Sequence, residues 1–445
     1  MRSGVTIHMP SYIEPRILKG FRDSLPGKEL RKRRLIRSIE DTFQMFGFAP
    51  IDTPALEYAD ILLGKGGGET DAQVYRFYDH GNREVALRYD LTVPFARFMA
   101  TYWRELELPF KRYHIGKVWR GENTQRGRYR EFMQCDFDIV GTDTMSADLE
   151  IILLIRECFK QLGIDKITVE INHRRIFTRL FEKLGCQDRS VEILRLVDKL
   201  GKIGRKKVEG GLSELVDGGQ TGSILDFIEG AESNRATITK MERAAGGHHE
   251  DTKRLSEIVS VLEDEDILNV RVNPSITRGL DYYTGLVYET SLDDVPEIGS
   301  VCSGGRYNDL ASLYTKQTLP GVGASVGLDR LIAALDENFP PGGQSSLTQV
   351  IVLMLDCTLV GHYHHIASAF RRAGLRSEVY HQQKKLGSQF QFAEKKGIPI
   401  GIICGEDEFS HGTVNVKNLH TRESFDNLPL NDAVAKAAEI LRSFQ

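Results

Sequence analysis

Apolar side chains at Leu35, Ile36, Ile39, Phe43 and Phe46 recur at steps of three and four and stop at Gly47, which predicts an amphipathic helix ending there. Residues 49–56 follow with Pro50 and Pro54, so they read as an edge strand or extended entry, because proline cannot donate to a ladder. Within 110–141 the period changes to two. Two strand-like runs flank the polar loop Gly121-Glu122-Asn123-Thr124-Gln125-Arg126-Gly127. In the second run Phe132, Gln134, Asp136 and Asp138 share one face, and Met133, Cys135, Phe137 and Ile139 share the other.

Near Asn172 the character shifts. Residues 174–263 are helix-prone, charged and broken by Gly210-Gly211 and Gly246-Gly247, which predicts a separate, mostly helical insertion. Strand character returns at 267–272 and 286–290. The run Phe339-Pro340-Pro341-Gly342-Gly343-Gln344-Ser345-Ser346 is a linker by composition. Beyond it, strands at 349–355, 376–380, 398–404 and 413–419 alternate with helices at 362–373 and 390–396, the pattern of a compact α/β domain. The expected organisation is 1–173 with 264–338 as one domain, 174–263 inserted in it, 339–348 as linker and 349–445 as a second domain.

Composition adds bounds. A chain of 445 residues implies two or three domains, and 41% hydrophobic with 27% charged residues is ordinary for a soluble globular protein. Cys135, Cys158, Cys186, Cys302, Cys357 and Cys404 include no C-x-x-C pair, which argues against a zinc site or a secreted disulfide framework and makes a reducing cytoplasm the expectation. No run of 18 apolar residues predicts a membrane span, and residues 1–16 lack the apolar core of a signal peptide. The net charge of −4 makes no global invitation to nucleic acid, so RNA binding would have to come from local basic surfaces.

Candidate chemistry gathers on the polar face of 132–138. The bland reading is a sheet with one solvated face. Against it stand Arg120, Arg128 and Arg130 at the ends of the loop: guanidinium groups beside carboxylates suit a ligand anionic at one end and cationic at the other. Two further segments are open to either reading. Thr277-Arg278-Gly279-Leu280-Asp281-Tyr282-Tyr283-Thr284-Gly285 places an arginine by two tyrosines that would serve a core or a ligand. Gly321-Val322-Gly323-Ala324-Ser325-Val326-Gly327-Leu328-Asp329-Arg330 lacks the spacing of a dinucleotide fingerprint, but its small residues let backbone pack closely and Arg330 opens a helix where a phosphate could be met. Gly64-Lys65-Gly66-Gly67-Gly68-Glu69-Thr70 lacks the order of a P-loop and reads as a loop. His362, His364 and His365 sit in a helical pattern on different faces, without nearby cysteine, and read as surface histidines rather than metal ligands.

Together these segments resemble the signatures of class II aminoacyl-tRNA synthetases, and specifically of the histidyl-tRNA synthetase family. The helix ending near Phe48 with Ile51-Asp52-Thr53-Pro54 resembles motif 1, which builds a dimer interface. Val118-Trp119-Arg120 through Arg128-Tyr129-Arg130-Glu131-Phe132 resembles motif 2, and 321–330 resembles motif 3. Arg278-Gly279-Leu280-Asp281-Tyr282-Tyr283 and Ser303-Gly304-Gly305-Arg306-Tyr307 are the histidine-specific signatures. The resemblance runs from Gly20-Phe21-Arg22-Asp23 nearly to the C-terminus. It implies an α+β catalytic domain on an antiparallel sheet with a helical insertion, and a C-terminal α/β anticodon-binding domain.

For the reaction, the resemblance implies activation of L-histidine by ATP to histidyl-adenylate and transfer to the 3′-terminal adenosine of tRNA(His), in a cytoplasmic homodimer. Arg120 would hold the α-phosphate, Phe132 would stack on adenine, and Arg128 and Arg330 would take the outer phosphates, with Glu122 in the same ATP site. Arg278 matches the catalytic arginine. Asp90, Thr92 and Gln134 match positions binding the α-amino group; Asp138 and Tyr283 match those reading the imidazole, with Tyr282, Gly304 and Tyr307 beside them. Magnesium is expected on the ATP phosphates, without a protein cage.

The sequence departs from the usual bacterial wording at Leu87-Arg88-Tyr89-Asp90-Leu91-Thr92, which is the variant common in eukaryotic-type members, and at Asp138, where many bacterial members have glutamate. A carboxylate survives at both, while the reading of the first tRNA base pair is left open. From Val350 onward eleven Lys/Arg face ten Asp/Glu, so anticodon contacts would rest on clusters such as Lys384-Lys385 and Lys395-Lys396, or these are solvated helix faces. Arg205-Lys206-Lys207 in the insertion stands open to the same two readings for the acceptor arm. The alternative function is a non-catalytic, histidine-binding regulatory paralogue; retention of the arginine signature and of the anticodon domain weighs against it.

Overall fold

The computed structural model describes residues 13–64, 71–277, 282–338 and 346–443. They form two compact units, one spanning 34–339 with the segment before residue 24, the other 340–445 with 24–33. No helix among the described residues is long and apolar enough to cross a membrane.

In chain order the strands of the first unit are Ala49–Pro50 (β1), Leu56–Tyr58 (β2), Arg76–Tyr78 (β3), Glu84–Leu87 (β4), Phe110–Trp119 (β5), Glu131–Val140 (β6), Ile167–His173 (β7), Val270–Val272 (β8), Leu286–Leu292 (β9), Cys302–Arg306 (β10) and Gly321–Gly327 (β11). Eight of them make the main sheet, ordered β1-β5-β6-β11-β10-β9-β7-β8, and β2-β4-β3 make a smaller one. The inner strands are antiparallel; only the edge strands β1 and β8 join in parallel. The predicted first helix is present as Pro26–Met45, and it ends before Gly47, whose φ of +78° no β-carbon favours. Pro50 sits on edge strand β1, where a missing N–H costs no ladder bond.

The alternation in β6 explains how the sheet is placed. Cys135, Phe137 and Ile139 are buried against Ile39 and Phe43 of the first helix and against Ile151 and Ile155 of helix Met145–Gln161. The opposite face of β6 is therefore turned away from the helical layer. It is not solvated, however: Asp136 and Asp138 are each only 2% exposed.

Seven α-helices run from Arg174–Leu184 to Glu250–Asp264. They were expected to form a separate body. Their apolar residues, among them Phe177, Phe227, Met241 and Leu255, instead belong to the same continuous core as the main sheet. Helical period shows that one face of each helix is buried, not what covers it.

The second unit has strands Val350–Val352 (β12), Ser377–Val379 (β13), Ile400–Ile403 (β14), Thr413–Asn418 (β15) and Ser424–Pro429 (β16), ordered β13-β12-β14-β15-β16. β12 runs parallel to β13 and β14, and β15 and β16 are antiparallel. Helices Val360–Arg372, Leu386–Lys396 and Leu430–Arg442 accompany them. β16 and the last helix lie beyond the stretch in which alternation was read, although Leu430, Val434 and Leu441 pack on this core beside buried Ala433, Ala437 and Ile440.

Candidate active site

The cavity side of β6 is built by strand pairing. In the β5–β6 hairpin Arg112 lies opposite Asp138 and His114 opposite Asp136, while β11 places Gly323 beside Asp138 and Ser325 beside Asp136. Glycine at 323 is required by contact: an added β-carbon would stand 2.1 Å from Asp138 Oδ1. At Gly304 the same atom would meet the Gly323 carbonyl oxygen at 2.1 Å, so β10 and β11 can approach only with a bare backbone there. Space that side chains would have filled becomes a cavity of about 320 Å³.

Every described residue expected at the site lines this one cavity: Asp90, Thr92, Arg120, Glu122, Arg128, Phe132, Gln134, Asp138, Tyr282, Tyr283, Gly304, Tyr307 and Arg330. These come from segments up to 240 positions apart, between residues 90 and 330. Arg278 to Asp281, the core of the arginine signature, lie outside the described residues. Arg130 belongs to the loop scaffold, its Nε donating toward the Glu122 carbonyl at 3.3 Å.

Part of the cavity lining is cationic. Arg120 leaves β5 with its Nε donating to the Tyr89 carbonyl at 2.9 Å and its guanidinium carbon 5.2 Å from the Phe132 ring centre. Arg128 reaches Glu122 at 3.4 Å, and Arg330 donates to the Ser300 carbonyl. Phe132 stands about half-open beside them and offers a flat apolar surface.

Another part is acidic and phenolic. Asp90 accepts from the Val93 amide at 3.1 Å and from the Tyr282 hydroxyl at 3.2 Å; burial pushes its carboxyl up to about 6, against the pull of the Val93 amide and Arg120. Gln134 donates to Ser325 Oγ at 2.9 Å. Tyr307 donates its hydroxyl to Asp138, and the Tyr282 and Tyr283 rings meet edge-on at 4.9 Å. Burial raises Asp138 as well, opposed by Arg112 and by the Tyr307 hydroxyl.

Sequence reading overlooked three charged groups at and around the cavity. Arg112 is wholly buried, places Nη2 2.7 Å from Asp138 Oδ2, and lies over the Phe95 ring at 4.1 Å. Asp329 accepts from the Met133 amide at 2.7 Å and pairs with Arg22, which stacks 3.8 Å over Tyr129. The observed register of β5 on β6 sets Arg112 against Asp138, a pairing that the loop between the two runs does not fix in the sequence.

The histidine cluster in helix Val360–Arg372 makes ring contacts, His362 with His365 at 6.4 Å. The family model described as histidyl-tRNA synthetase matches residues 20–331, and the anticodon-binding-domain model matches 349–440. The chain belongs to the histidyl-tRNA synthetase family. A histidine–tRNA ligase of Treponema denticola is 44% identical over 443 residues, covering 96% of this chain and 99% of the relative. That of Rhodopirellula baltica is 46% identical over 421 residues, 93% and 95% of the two chains. The crystal structure of histidyl-tRNA synthetase from Nostoc sp. PCC 7120 superposes with a TM-score of 0.83 at 30% identity, covering 96% of this chain and all of that one (100%). In the family's terms the second unit is the anticodon-binding domain. There Lys384 and Lys385 are exposed, whereas Lys396 is paired with Glu378 at 2.7 Å.

Proposed function

We propose that this chain joins L-histidine to tRNA(His) in two steps inside the cavity. A carboxylate oxygen of histidine attacks the α-phosphorus of ATP and pyrophosphate leaves; the 3′-terminal hydroxyl of the tRNA then attacks the carbonyl and AMP leaves. The observation that carries this reading is that cationic, aromatic and acidic side chains from distant segments line one cavity.

In this reading Arg120 holds the α-phosphate, Phe132 stacks on adenine, and Arg128 and Arg330 take the outer phosphates with Glu122 beside them. Arginine suits this because its fork stays charged and meets two oxygens at once. Fixed cations aimed at charge that builds in transit lower the barrier without reorganising. Arg278 is proposed as the catalytic arginine on its signature alone. Asp90, Thr92 and Gln134 receive the α-ammonium group, and Asp138 with Tyr283, Tyr282, Gly304 and Tyr307 enclose the ring. An apolar competitor would leave these buried polar groups unpaired, a penalty of several powers of ten. Bound with ATP, magnesium would supply charge neutralisation at the phosphates, and Glu122 is the acidic lining residue proposed to stand beside it.

The domain assignment proposed is 1–173 with 264–338 as catalytic, 174–263 as insertion, 339–348 as linker and 349–445 for the anticodon. A homodimer through the segment resembling motif 1 is proposed, to be checked by sedimentation at micromolar concentration. A cytoplasmic setting is supported by six free cysteines.

The test is histidine-dependent exchange of pyrophosphate into ATP. Wild type should exchange, and Arg120→Ala and Arg278→Ala should each lose about 100- to 1,000-fold. Exchange unchanged in either variant removes that arginine from the mechanism. Charging of tRNA(His) separates a ligase from the regulatory alternative, which would bind histidine and charge nothing.

A further inference from the structure

Arg22 does not line the cavity, but the two groups it holds do. Its guanidinium pairs with Asp329 and stacks 3.8 Å over the Tyr129 ring, and both of those residues are part of the lining. Asp329 is 4% exposed, while the Arg22 side chain is 42% exposed. The second carboxylate oxygen of Asp329 accepts from the Met133 amide at 2.7 Å, directly after Phe132, and the next residue along the chain is Arg330. One carboxylate thus ties Arg22 to the proposed adenine platform and to a proposed phosphate ligand. Tyr129 ties it to the loop that carries Arg128. The residues around Arg22 are fastened to the same loop. The Gly20 carbonyl accepts from the Arg130 amide at 2.9 Å, and the Phe21 ring meets Tyr75 edge-on at 6.3 Å. Gly20 has a φ of +88°, and an added β-carbon would stand 2.7 Å from Arg130 Cγ and 2.9 Å from Thr124 Cγ2, so the approach needs a bare backbone.

We propose that Arg22 is a positioning residue for ATP: it neutralises Asp329 and holds Phe132 and loop 121–130 in register with helix Leu328–Asn338. This rests on the reading that the cavity takes ATP. It goes beyond that reading by giving the placement of the nucleotide to a residue that touches no part of it.

Asp329 is an anion in a lining proposed to receive a triphosphate. Charges act on one another more strongly where water is excluded, so an uncompensated carboxylate there would repel the phosphates and compete with them for the arginines. Pairing with Arg22 removes that charge without removing the carboxylate. Its two oxygens are then committed in fixed directions, one to Arg22 and one to the backbone of β6. A charge-assisted bond of this kind is stronger than a neutral one and sets direction as well as distance. The stacked guanidinium likewise fixes Tyr129 from the side away from solvent-borne partners, since the face of an aromatic ring attracts a cation. These links run to the groups proposed for the nucleotide, so losing Arg22 should weaken ATP and spare histidine.

The experiment is histidine-dependent pyrophosphate exchange by the full chain, with ATP and histidine varied in turn, for wild type, Arg22→Ala, Arg22→Lys and the double variant Arg22→Ala/Asp329→Asn. In Arg22→Ala the KM for ATP should rise about tenfold, the loss of one bond between charged groups, with the KM for histidine within about twofold of wild type. Arg22→Lys should recover part of the loss, because the charge is kept and the planar fork is not. The double variant should have a lower ATP KM than Arg22→Ala, since asparagine still accepts from the Met133 amide and brings no charge against phosphate. An unchanged ATP KM in Arg22→Ala overturns the proposal. An equal rise in both KM values also overturns it, because that marks a general loosening of the fold, as does a double variant worse than Arg22→Ala. If Arg22→Ala does not fold, Arg22→Gln keeps the stem over Tyr129 without the charge and is read against the same outcomes. Absence of exchange in wild type would instead sink the reading of the cavity, and this proposal with it.

Discussion

The two units treat buried polarity in opposite ways. In the first, Arg88, Asp90, Arg112, His114, Asp136, Asp138, Asp148, Arg306 and Asp329 are all charged or titratable and buried. In the second, the buried polar side chains among the described residues are Ser346, Gln389 and Asn418, none of them charged. Gln389 is satisfied by Met354 on both sides, accepting from its amide at 2.9 Å and donating to its carbonyl at 2.7 Å. Asn418 accepts from the His420 and Thr421 amides. A domain that recognises RNA from outside can keep its charges in water. A cavity proposed to polarise phosphate and read an amino acid must take charges out of water and hold them there, where each is stronger and each is costlier to leave unpaired.

The contrast breaks most sharply at a buried pair. Arg306 and Asp148 meet at 2.8 Å with exposures of 2% and 0%, and Arg306 also donates to the Thr142 carbonyl. Arg306→Ala should cost about 3 kcal/mol of stability by chemical denaturation, because buried Asp148 loses one of its two guanidinium partners and keeps only Arg254, at 2.5 Å. A loss under about 1 kcal/mol would mean that Arg254 alone satisfies Asp148.

Next in size is Gly323→Ala. Its β-carbon would collide with Asp138, so the histidine KM should rise about 100-fold while adenine binding is kept, as expected for a displacement of about 1 Å. An unchanged KM would place the ring elsewhere. The pH profile follows. Asp90 must be ionised to meet an ammonium group, and burial raises it to about 6. The kcat/KM for histidine should therefore show an acid limb there, falling with decreasing pH below about 6. An acid limb near 4 would show Asp90 hydrated in the working enzyme. The smallest effect is at the surface of the second unit. Lys396→Ala breaks the half-open pair with Glu378 and should cost less than about 1 kcal/mol, fading with added salt.

How much of this was legible follows the same division. The cavity face of β6 could be read because a strand hides one face from the other and Phe132, Gln134, Asp136 and Asp138 kept step for seven positions. That the carboxylates are buried could not, since alternation separates faces without saying what covers them. Arg112 was missed for lack of strand register, which a hairpin loop alone leaves open. The glycines of β10 and β11 signalled close packing, but their contacts depend on a sheet order in which strands far apart in sequence are neighbours. The insertion helices were legible as helices; that they share the catalytic core depends on packing partners no periodicity names.

The most direct test is a crystal structure of the full chain with L-histidine and a non-hydrolysable ATP analogue. The imidazole should lie between Asp138 and Tyr283, the ammonium group at Asp90, and the adenine on Phe132 with its phosphates toward Arg120. Histidine bound outside this cavity, or adenine stacked away from Phe132, would contradict it.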